Sequence, residues 1–201
     1  AAVLYDNLLD MVGNTPLVEI AALSPKPEVR IFAKLEGQNP TGSVKDRIAR
    51  QMIARAEREG TLKPGQRILE PTSGNTGISL ALLGLLRGYP VTVVMPDAVS
   101  VERIELLRAY GAEIIFSPGE LGSNGSVAMA EQVAKDNPDW FMPFQYENED
   151  NPLAHYETTA PEIIADLPDI DVFVSGLGTG GTLTGVGRRL KEYNPEIRIV
   201  A

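Results

Sequence analysis

Short apolar segments alternate along this chain with longer segments in which apolar residues recur every three or four positions. The first pattern predicts buried strands, and the second predicts helices that pack by one face. The predicted strands are 31–36, 67–70, 91–95, 113–116, 140–142, 172–175 and 197–200, and the predicted helices are 43–60, 78–87, 100–111, 123–136, 155–166 and 182–193. Strand and helix alternate almost throughout. This order predicts an α/β fold of two doubly wound, mostly parallel sheets with helices on both faces.

The alternation is interrupted once, by a polar and irregular segment at 145–152. Such a composition is typical of a hinge or linker, so we predict two α/β units. Ligands bind beyond the carboxyl ends of the strands in open parallel sheets. The loops from strand to helix are therefore the places to look for chemistry.

The stretch 39–47 places a lysine at the beginning of a predicted helix. A proline and a glycine predict a turn, and Ser43 with Asp46 three residues later is typical of a capping box. Lys45 would then lie in the first helical turn, where the positive end of the helix dipole lowers the pKa of an ammonium group. A lysine with a lowered pKa can act as a nucleophile or a base. On the local pattern alone, an ordinary surface lysine is the favoured explanation.

A glycine-rich loop at 175–182 follows one predicted strand and opens the next helix. Backbone amides at a helix N-terminus bind phosphate, and Thr179 and Thr182 can add hydroxyl donors. The same glycines also match the dinucleotide-binding pattern GxGxxG. That pattern requires an acidic residue about twenty positions later, and the sequence ends at Ala201. Both interpretations stay open on the loop alone.

A second loop of small donors, at 72–77, occupies the same position between a strand and a helix. Its hydroxyls and amide suit an anion, and a carboxylate fits as well as a phosphate. A capped tight turn explains such a loop by itself. Together with Lys45 and the loop at 175–182, however, it describes a pyridoxal phosphate site that acts on an amino acid.

The composition of the chain excludes several kinds of binding partner and of chemical site. A net charge of -9 argues against nucleic acid and against an anionic membrane surface. The absence of cysteine excludes disulfides, thiolate metal sites and a thiol nucleophile. The single histidine, His155, excludes a multi-histidine metal centre, and we interpret it as a structural hydrogen-bonding residue inside a helix. No metal is expected, and the N-terminus lacks the pattern of a signal peptide, which predicts a cytoplasmic protein.

Eight segments in a fixed order resemble the fold-type II pyridoxal phosphate enzymes, and within them the cysteine synthase and cystathionine β-synthase family. They are Gly13–Leu17, Lys34–Glu36, Asn39–Arg47, Glu70–Gly77, Val101–Arg103, Gly111–Ala112, Glu157–Thr159 and Gly178–Thr182. They run from near the start of the chain to near its end.

The resemblance implies a role for each loop. Lys45 would carry the cofactor as a Schiff base and then abstract the α-proton of the substrate. The cofactor phosphate would be held by Gly178, Thr179, Gly180, Gly181 and Thr182. Asn75 would hydrogen-bond the ring hydroxyl of the cofactor. The substrate carboxylate would be held by Thr72, Ser73, Asn75, Thr76 and Gln145.

The resemblance also implies a domain plan and a homodimer. A smaller domain would comprise 37–148 together with 1–12, and a larger domain would comprise 13–36 and 149–201. Residues from about 91 to 134 would form the part that closes on the substrate. Family members are longer, so we expect the C-terminal part, which contains the partner of the pyridine nitrogen, to be missing.

The implied reaction is β-replacement on an activated L-serine, O-acetylserine or O-phosphoserine, with sulfide to give L-cysteine. Cystathionine β-synthase, in which homocysteine replaces sulfide, is the alternative within the same chemistry. A truncated relative that binds the cofactor without catalysis is a second alternative. A nicotinamide-dependent dehydrogenase rests on GxGxxG alone, and it explains neither Lys45 nor the loop at 72–77.

Overall fold

A computed structural model describes residues 4–201. Its contacts form two compact units, which we call the first unit (up to Arg47, and Asn151–Ala201) and the second unit (Ile48–Asp150). The strands are β1 Leu17–Glu19, β2 Phe32–Lys34, β3 Ile68–Pro71, β4 Val91–Pro96, β5 Glu113–Ser117, β6 Val172–Val174 and β7 Arg198–Val200. The helices are α1 Lys45–Glu59, α2 Asn75–Arg87, α3 Val101–Ala109, α4 Gly122–Asp136, α5 Asp150–Ala154, α6 Ala160–Asp166 and α7 Gly181–Tyr193. A π-helical turn, His155–Thr159, joins α5 to α6.

The second unit is built on a parallel sheet in the order β3-β4-β5. Leu69 and Val94 pack against Ala130 of α4 in the core of this unit. On β3, Glu70 pairs with Val93 of β4, and both are buried. Helix α2 is buried along most of its length and stops at Gly88, whose φ of 77° suits glycine. Parallel strands direct their carboxyl ends to one edge, so the loop after β3 lies at the edge where a ligand is expected.

The first unit has two small sheets. β1 and β2 pair antiparallel, and β6 and β7 pair parallel. Its core lies between α6, α7 and the segment before β7, where Ala160, Ile163, Val186, Leu190 and Ile197 are buried together. The loop Ser175–Thr182 leaves β6 and enters α7, so the sheet and its core position the predicted phosphate loop.

The structure confirms the predicted α/β fold with parallel sheets, with some local differences. The segment at 145–152 is not irregular throughout, because α5 begins at Asp150. The predicted strand 140–142 contributes a single bridge, between Ile68 and Phe141. The antiparallel β1 was not predicted, because three residues with an exposed face carry little periodicity.

The predicted domain boundaries remain a prediction. The compact units divide the chain inside α1, between Arg47 and Ile48, and again between Asp150 and Asn151. Lys45 therefore belongs to the first unit in the structure, whereas the predicted plan grouped it with 37–148. Part of the predicted segment 1–12, residues 1–3, lies outside the described residues. Within residues 4–201, every helix falls short of the length or the apolar character that a bilayer-spanning segment needs.

Candidate active site

Lys45 is the first residue of α1 and is half-buried. Its backbone N–H donates to Ser43 Oγ over 3.2 Å, which satisfies one of the amides at the helix start. Asp46 of the predicted capping box binds Thr41: its carboxylate accepts from Thr41 N over 2.7 Å and from Thr41 Oγ1 over 2.5 Å. The turn before the helix is therefore closed by Thr41 and Asp46.

Burial lowers the pKa of Lys45. The cause is loss of hydration of the ammonium group, and the helix dipole, on which the sequence prediction relied, acts in the same direction. Among residues 4–201 the structure records no ion pair to its amine. The Lys45 ammonium group thus loses its proton at a lower pH than that of an exposed lysine.

Arg47, two residues beyond Lys45, anchors this end of α1 in the first unit. Its side chain is 1% exposed and lies between two carboxylates, Glu36 and Glu162. Arg47 Nε donates to Glu36 Oε2 over 2.8 Å, and Nη2 donates to Glu162 Oε2 over 2.7 Å. Lys34 pairs with the same Glu162 over 2.8 Å. Two carboxylates thus face two cations in a site largely closed to water.

This arrangement lowers the pKa values of both carboxylates. Burial alone would raise the pKa of Glu162, but hydrogen bonds from Arg47 and Lys34 lower it to about 2. In Glu36, burial is likewise overcome by hydrogen bonds from Arg47 and Thr15, so that its pKa is lowered. Both groups are therefore ionised at neutral pH, and they hold Arg47 and the first turn of α1 in place.

The N-terminal motif Gly13–Leu17 is part of the same network. Gly13 has a φ of 92°, and a Cβ at this position would lie 3.0 Å from Arg47 Nη1. Asn14 N donates to Glu162 Oε1 over 2.9 Å, and Thr15 Oγ1 donates to Glu36 Oε1 over 2.6 Å. The motif thus packs against Arg47 and hydrogen-bonds the two carboxylates that hold Arg47 in place.

The loop Ser175–Thr182 has the geometry of an anion cradle. Gly180 has a φ of 84°, and the first intrahelical bond of α7 is the one from Thr184 N to Gly180 O, at 2.9 Å. The amides that precede Thr184 in the first turn are not used by the helix and suit an anion. An added Cβ at Gly178 would meet no atom within 4 Å. The backbone is therefore accessible on this side of the loop.

The hydroxyls of Thr179 and Thr182 in this loop are held by the helix that begins with α5. Asn151 Nδ2 donates to Thr179 Oγ1 over 2.9 Å, which leaves the Thr179 hydroxyl hydrogen available for another acceptor. His155 Nε2 lies 3.2 Å from Thr182 Oγ1, and His155 Nδ1 lies 2.9 Å from Thr159 Oγ1. Asn151 and His155 thus orient the two threonines from one helical face.

Helices α5 and α7 approach each other so closely that α7 needs glycine at the contact. A Cβ at Gly181 would lie 1.8 Å from Asn151 Oδ1, and a Cβ at Gly185 would lie 2.1 Å from Pro152 O. Any side chain at these positions would push α7 away from the residues that hold Thr179 and Thr182. Gly181 therefore acts through packing, in addition to its place in the predicted phosphate loop.

His155 is fully buried and neutral. Burial lowers its pKa to about 3, and the nearby charges of Lys45 and Arg47 act in the same direction, against Glu36. Because the ring carries one N–H, one of its nitrogens donates and the other accepts. The interpretation of His155 as structural was incomplete, since its ring contacts Thr182 of the predicted phosphate loop.

We expect His155→Gln to remove a component of acid sensitivity. The unfolded state takes up a proton near pH 6.5 and the folded state only near pH 3, so His155 destabilises the fold as the pH falls below 6.5. The stability of wild type relative to this variant should fall by about 2 kcal/mol between pH 7 and pH 5, measured by urea unfolding. A constant difference would contradict a neutral His155. The comparison with the variant is needed because Glu70, with a raised pKa, has the opposite dependence in this range.

The loop Thr72–Gly77 lies in the second unit, between β3 and α2. Thr72 Oγ1 accepts from Gly74 N over 3.1 Å, and Arg103 of α3 donates to Ser73 O over 3.0 Å. Thr72 and Thr76 are buried, whereas Ser73 is half-buried and Asn75 is exposed. These hydrogen bonds hold the loop in place, and part of its polar surface faces solvent.

The structure brings Gln145 to this loop. Thr76 Oγ1 donates to Gln145 Oε1 over 2.6 Å, and both residues are buried. Residues 69 positions apart in sequence therefore share one site, as the family resemblance implied for Gln145. The predicted binding of the substrate carboxylate by this loop and Gln145, and the predicted contact of Asn75 with the cofactor, stay predictions.

The sequence-predicted residues thus form two groups, one in each unit. Lys45 and Gly178–Thr182 lie in the first unit, and Thr72, Ser73, Asn75, Thr76 and Gln145 lie in the second. Sequence reasoning missed Asn151 and Arg47 as supporting residues and gave no role to Glu70. One signal was available: the polar residues Asn151, His155 and Thr159 recur every four positions and so share one helical face.

The chain matches the family model described as "Pyridoxal-phosphate dependent enzyme" over residues 8–201. The chain belongs to this family, and its cofactor is pyridoxal phosphate. The residues present fit that group. A half-buried lysine with a lowered pKa lies in the same unit as a glycine loop at a helix N-terminus with two oriented hydroxyls, which suits a phosphate.

Individual relatives narrow the comparison. The chain is 49% identical over 197 residues to a probable cysteine synthase of Bacillus subtilis (strain 168), covering 96% of this chain and 63% of the relative. The crystal structure of a cysteine synthase from Entamoeba histolytica is similar with a TM-score of 0.91 and 42% identity, covering 98% of this chain and 60% of that one. A crystal structure of O-ureido-L-serine synthase has a TM-score of 0.93 and 46% identity, with coverage of 98% and 62%. The chain therefore spans less than two thirds of the length of these relatives.

Proposed function

We propose that this chain forms part of a cysteine synthase, which replaces the β-substituent of an activated L-serine by sulfide to give L-cysteine. The observation that carries the proposal is Lys45, a half-buried lysine with a lowered pKa in the same unit as the phosphate loop. The relatives named cysteine synthase, at 47% and 49% identity, support the choice of reaction.

The two groups of residues divide the work. Gly178–Thr182 would bind the cofactor phosphate by amides and hydroxyls. Lys45 would hold the cofactor covalently until the substrate amino group displaces the Lys45 amine, and the released amine would then take the proton from the substrate α-carbon. Bound pyridoxal phosphate supplies the electron sink for the charge that develops at that carbon. Thr72, Ser73, Asn75, Thr76 and Gln145 bind the substrate carboxylate, and Asn75 also hydrogen-bonds the ring hydroxyl of the cofactor.

The donor and the nucleophile are the finer parts of the proposal. O-acetylserine is our first choice of donor, and O-phosphoserine is the second. A structure named O-ureido-L-serine synthase, at 46% identity, comes from an enzyme named for a different product. Homocysteine, as in cystathionine β-synthase, is the alternative nucleophile. We also propose a homodimer in the cytoplasm, as the family resemblance implies, and sedimentation would test the dimer.

A spectroscopic experiment with product analysis tests the function. The protein loaded with pyridoxal phosphate should show a visible band that shifts when O-acetylserine is added, and addition of sulfide should restore the band and release cysteine. Parallel reactions with O-phosphoserine and with homocysteine identify the donor and the nucleophile. A band that O-acetylserine and O-phosphoserine both leave unchanged would overturn the proposal, and a shifted band without cysteine from sulfide would overturn the choice of nucleophile.

A further inference from the structure

Glu70 is a fully buried acid on β3, two residues before the loop that begins at Thr72. Most buried carboxyls are paired with a cation. Among residues 4–201, the structure records no ion pair for Glu70. Burial raises its pKa to about 8, although hydrogen bonds from Gln145 and Phe144 oppose the shift. A group this costly to bury needs an explanation, and its hydrogen bonds supply one.

The carboxyl of Glu70 holds a tight turn that lies far away in sequence. Glu70 Oε2 accepts from Phe144 N over 2.9 Å, and Glu70 Oε1 accepts from Gln145 N over 3.0 Å. Each oxygen thus takes one of two successive amides. Phe144 has a φ of 54°, a conformation that non-glycine residues rarely adopt. A left-handed residue of this kind persists where its surroundings hold it, and here Glu70 binds the amides on both sides of its Cα.

The same carboxyl also contacts the Gln145 side chain. Gln145 hydrogen-bonds Glu70 through its amide group, and its Oε1 accepts from Thr76 Oγ1 over 2.6 Å. Both the backbone and the side chain of Gln145 are therefore oriented by Glu70. The orientation of the Gln145 amide decides whether oxygen or nitrogen faces the loop Thr72–Gly77.

We propose that Glu70 is a positioning residue for recognition of the substrate carboxylate, because it holds Gln145 and the turn at Phe144 in the arrangement that the loop Thr72–Gly77 requires. The proposal rests on the proposed function, in which Gln145 and this loop bind that carboxylate. Glu70 itself does not touch the substrate. Its role is exerted through Gln145 and Thr76.

Glu70→Gln tests this role with a minimal change of shape. Both oxygens of a carboxyl keep acceptor lone pairs whether or not the group is protonated, whereas the NH2 group of glutamine offers only donors. The glutamine oxygen can therefore accept from one of the two backbone amides, but the NH2 group cannot pair with the other. The turn must then move, and Gln145 moves with it. Thr92→Val is the matched control, because it removes from the neighbouring strand β4 a partly buried hydrogen bond, 2.8 Å long, that Arg67 donates to Thr92 Oγ1.

The measurement compares two ligands of the holoenzyme, L-serine and L-serinamide, which differ only in the carboxylate. Binding is followed by the visible spectrum of the cofactor. In Glu70→Gln, the Kd for L-serine should rise at least tenfold while the Kd for L-serinamide and the spectrum without ligand stay unchanged. Thr92→Val should leave both Kd values unchanged. A Glu70→Gln variant that binds L-serine like wild type, or that loses affinity for both ligands equally, would overturn the proposal.

The failure of the proposed function would look different. A wild-type holoenzyme whose spectrum responds to neither ligand would overturn the function, and this proposal with it. Should the Glu70→Gln variant not fold, amide hydrogen exchange in wild type decides the question. The amides of Phe144 and Gln145 should exchange at least a thousandfold more slowly than those of an exposed loop, and fast exchange at these two positions would overturn the role of Glu70.

Discussion

Replacing Lys45 with alanine is expected to abolish cysteine formation, with a loss of at least ~10³-fold in kcat/KM, since a positioned base alone contributes about 10²–10⁴-fold. The methyl group can neither hold the cofactor covalently nor take a proton from the substrate. The assay is release of cysteine from O-acetylserine and sulfide. The visible spectrum should at the same time lose the band that depends on the lysine amine.

Lys63→Ala is the matched control for that experiment, because it removes an exposed lysine of the second unit. It should leave both activity and spectrum unchanged. Activity above a tenth of wild type in Lys45→Ala would contradict the role of Lys45. The pH profile of Lys45 chemistry gives a further check, since burial lowers its pKa and the neutral amine is populated at lower pH than in a free lysine.

Replacing Arg47 with methionine is expected to lower the free energy of unfolding by about 3–5 kcal/mol, the usual effect of removing one partner of a buried ion pair. Methionine keeps the apolar part of the side chain, but Glu36 and Glu162 lose the guanidinium between them. Lys34 still faces Glu162, so Glu36 bears most of the uncompensated charge. Urea unfolding at pH 7 measures the change.

Two further variants make the Arg47 result specific. Arg30→Met removes an exposed guanidinium from Glu19 and should have almost no effect, because exposed pairs contribute little. A double variant, Arg47→Met with Glu36→Gln, should recover much of the lost stability, because Lys34 stays paired with Glu162 and the unpaired carboxylate of Glu36 is gone. A double variant as unstable as Arg47→Met would show that packing, and not charge, explains the loss.

Sequence predictions were correct where the interacting residues are close together along the chain, and they failed where the partner is distant in sequence. The start of α1 near Ser43 was predicted because a turn, a cap and an apolar period lie within a few residues of one another. The prediction of a strand at 140–142 was wrong. A short apolar run forms a strand only if a neighbouring strand pairs along its length, and here only Phe141 pairs with Ile68. Helix α5 was missed altogether for a related reason: its first residues are polar and show no period.

The sequence by itself determined the alternation of strands and helices, the place of Lys45 in a first helical turn, and the glycine loop after β6, because each depends on the spacing of near neighbours. Only the tertiary structure decided what lowers the pKa of that lysine and what holds its helical turn in place. Its burial lowers the pKa of the amine, Arg47 is closed in by Glu36 and Glu162, and Glu70 reaches amides 74 and 75 positions away. These effects need groups that are distant in sequence to share a space without water, and no local pattern records which of them will meet.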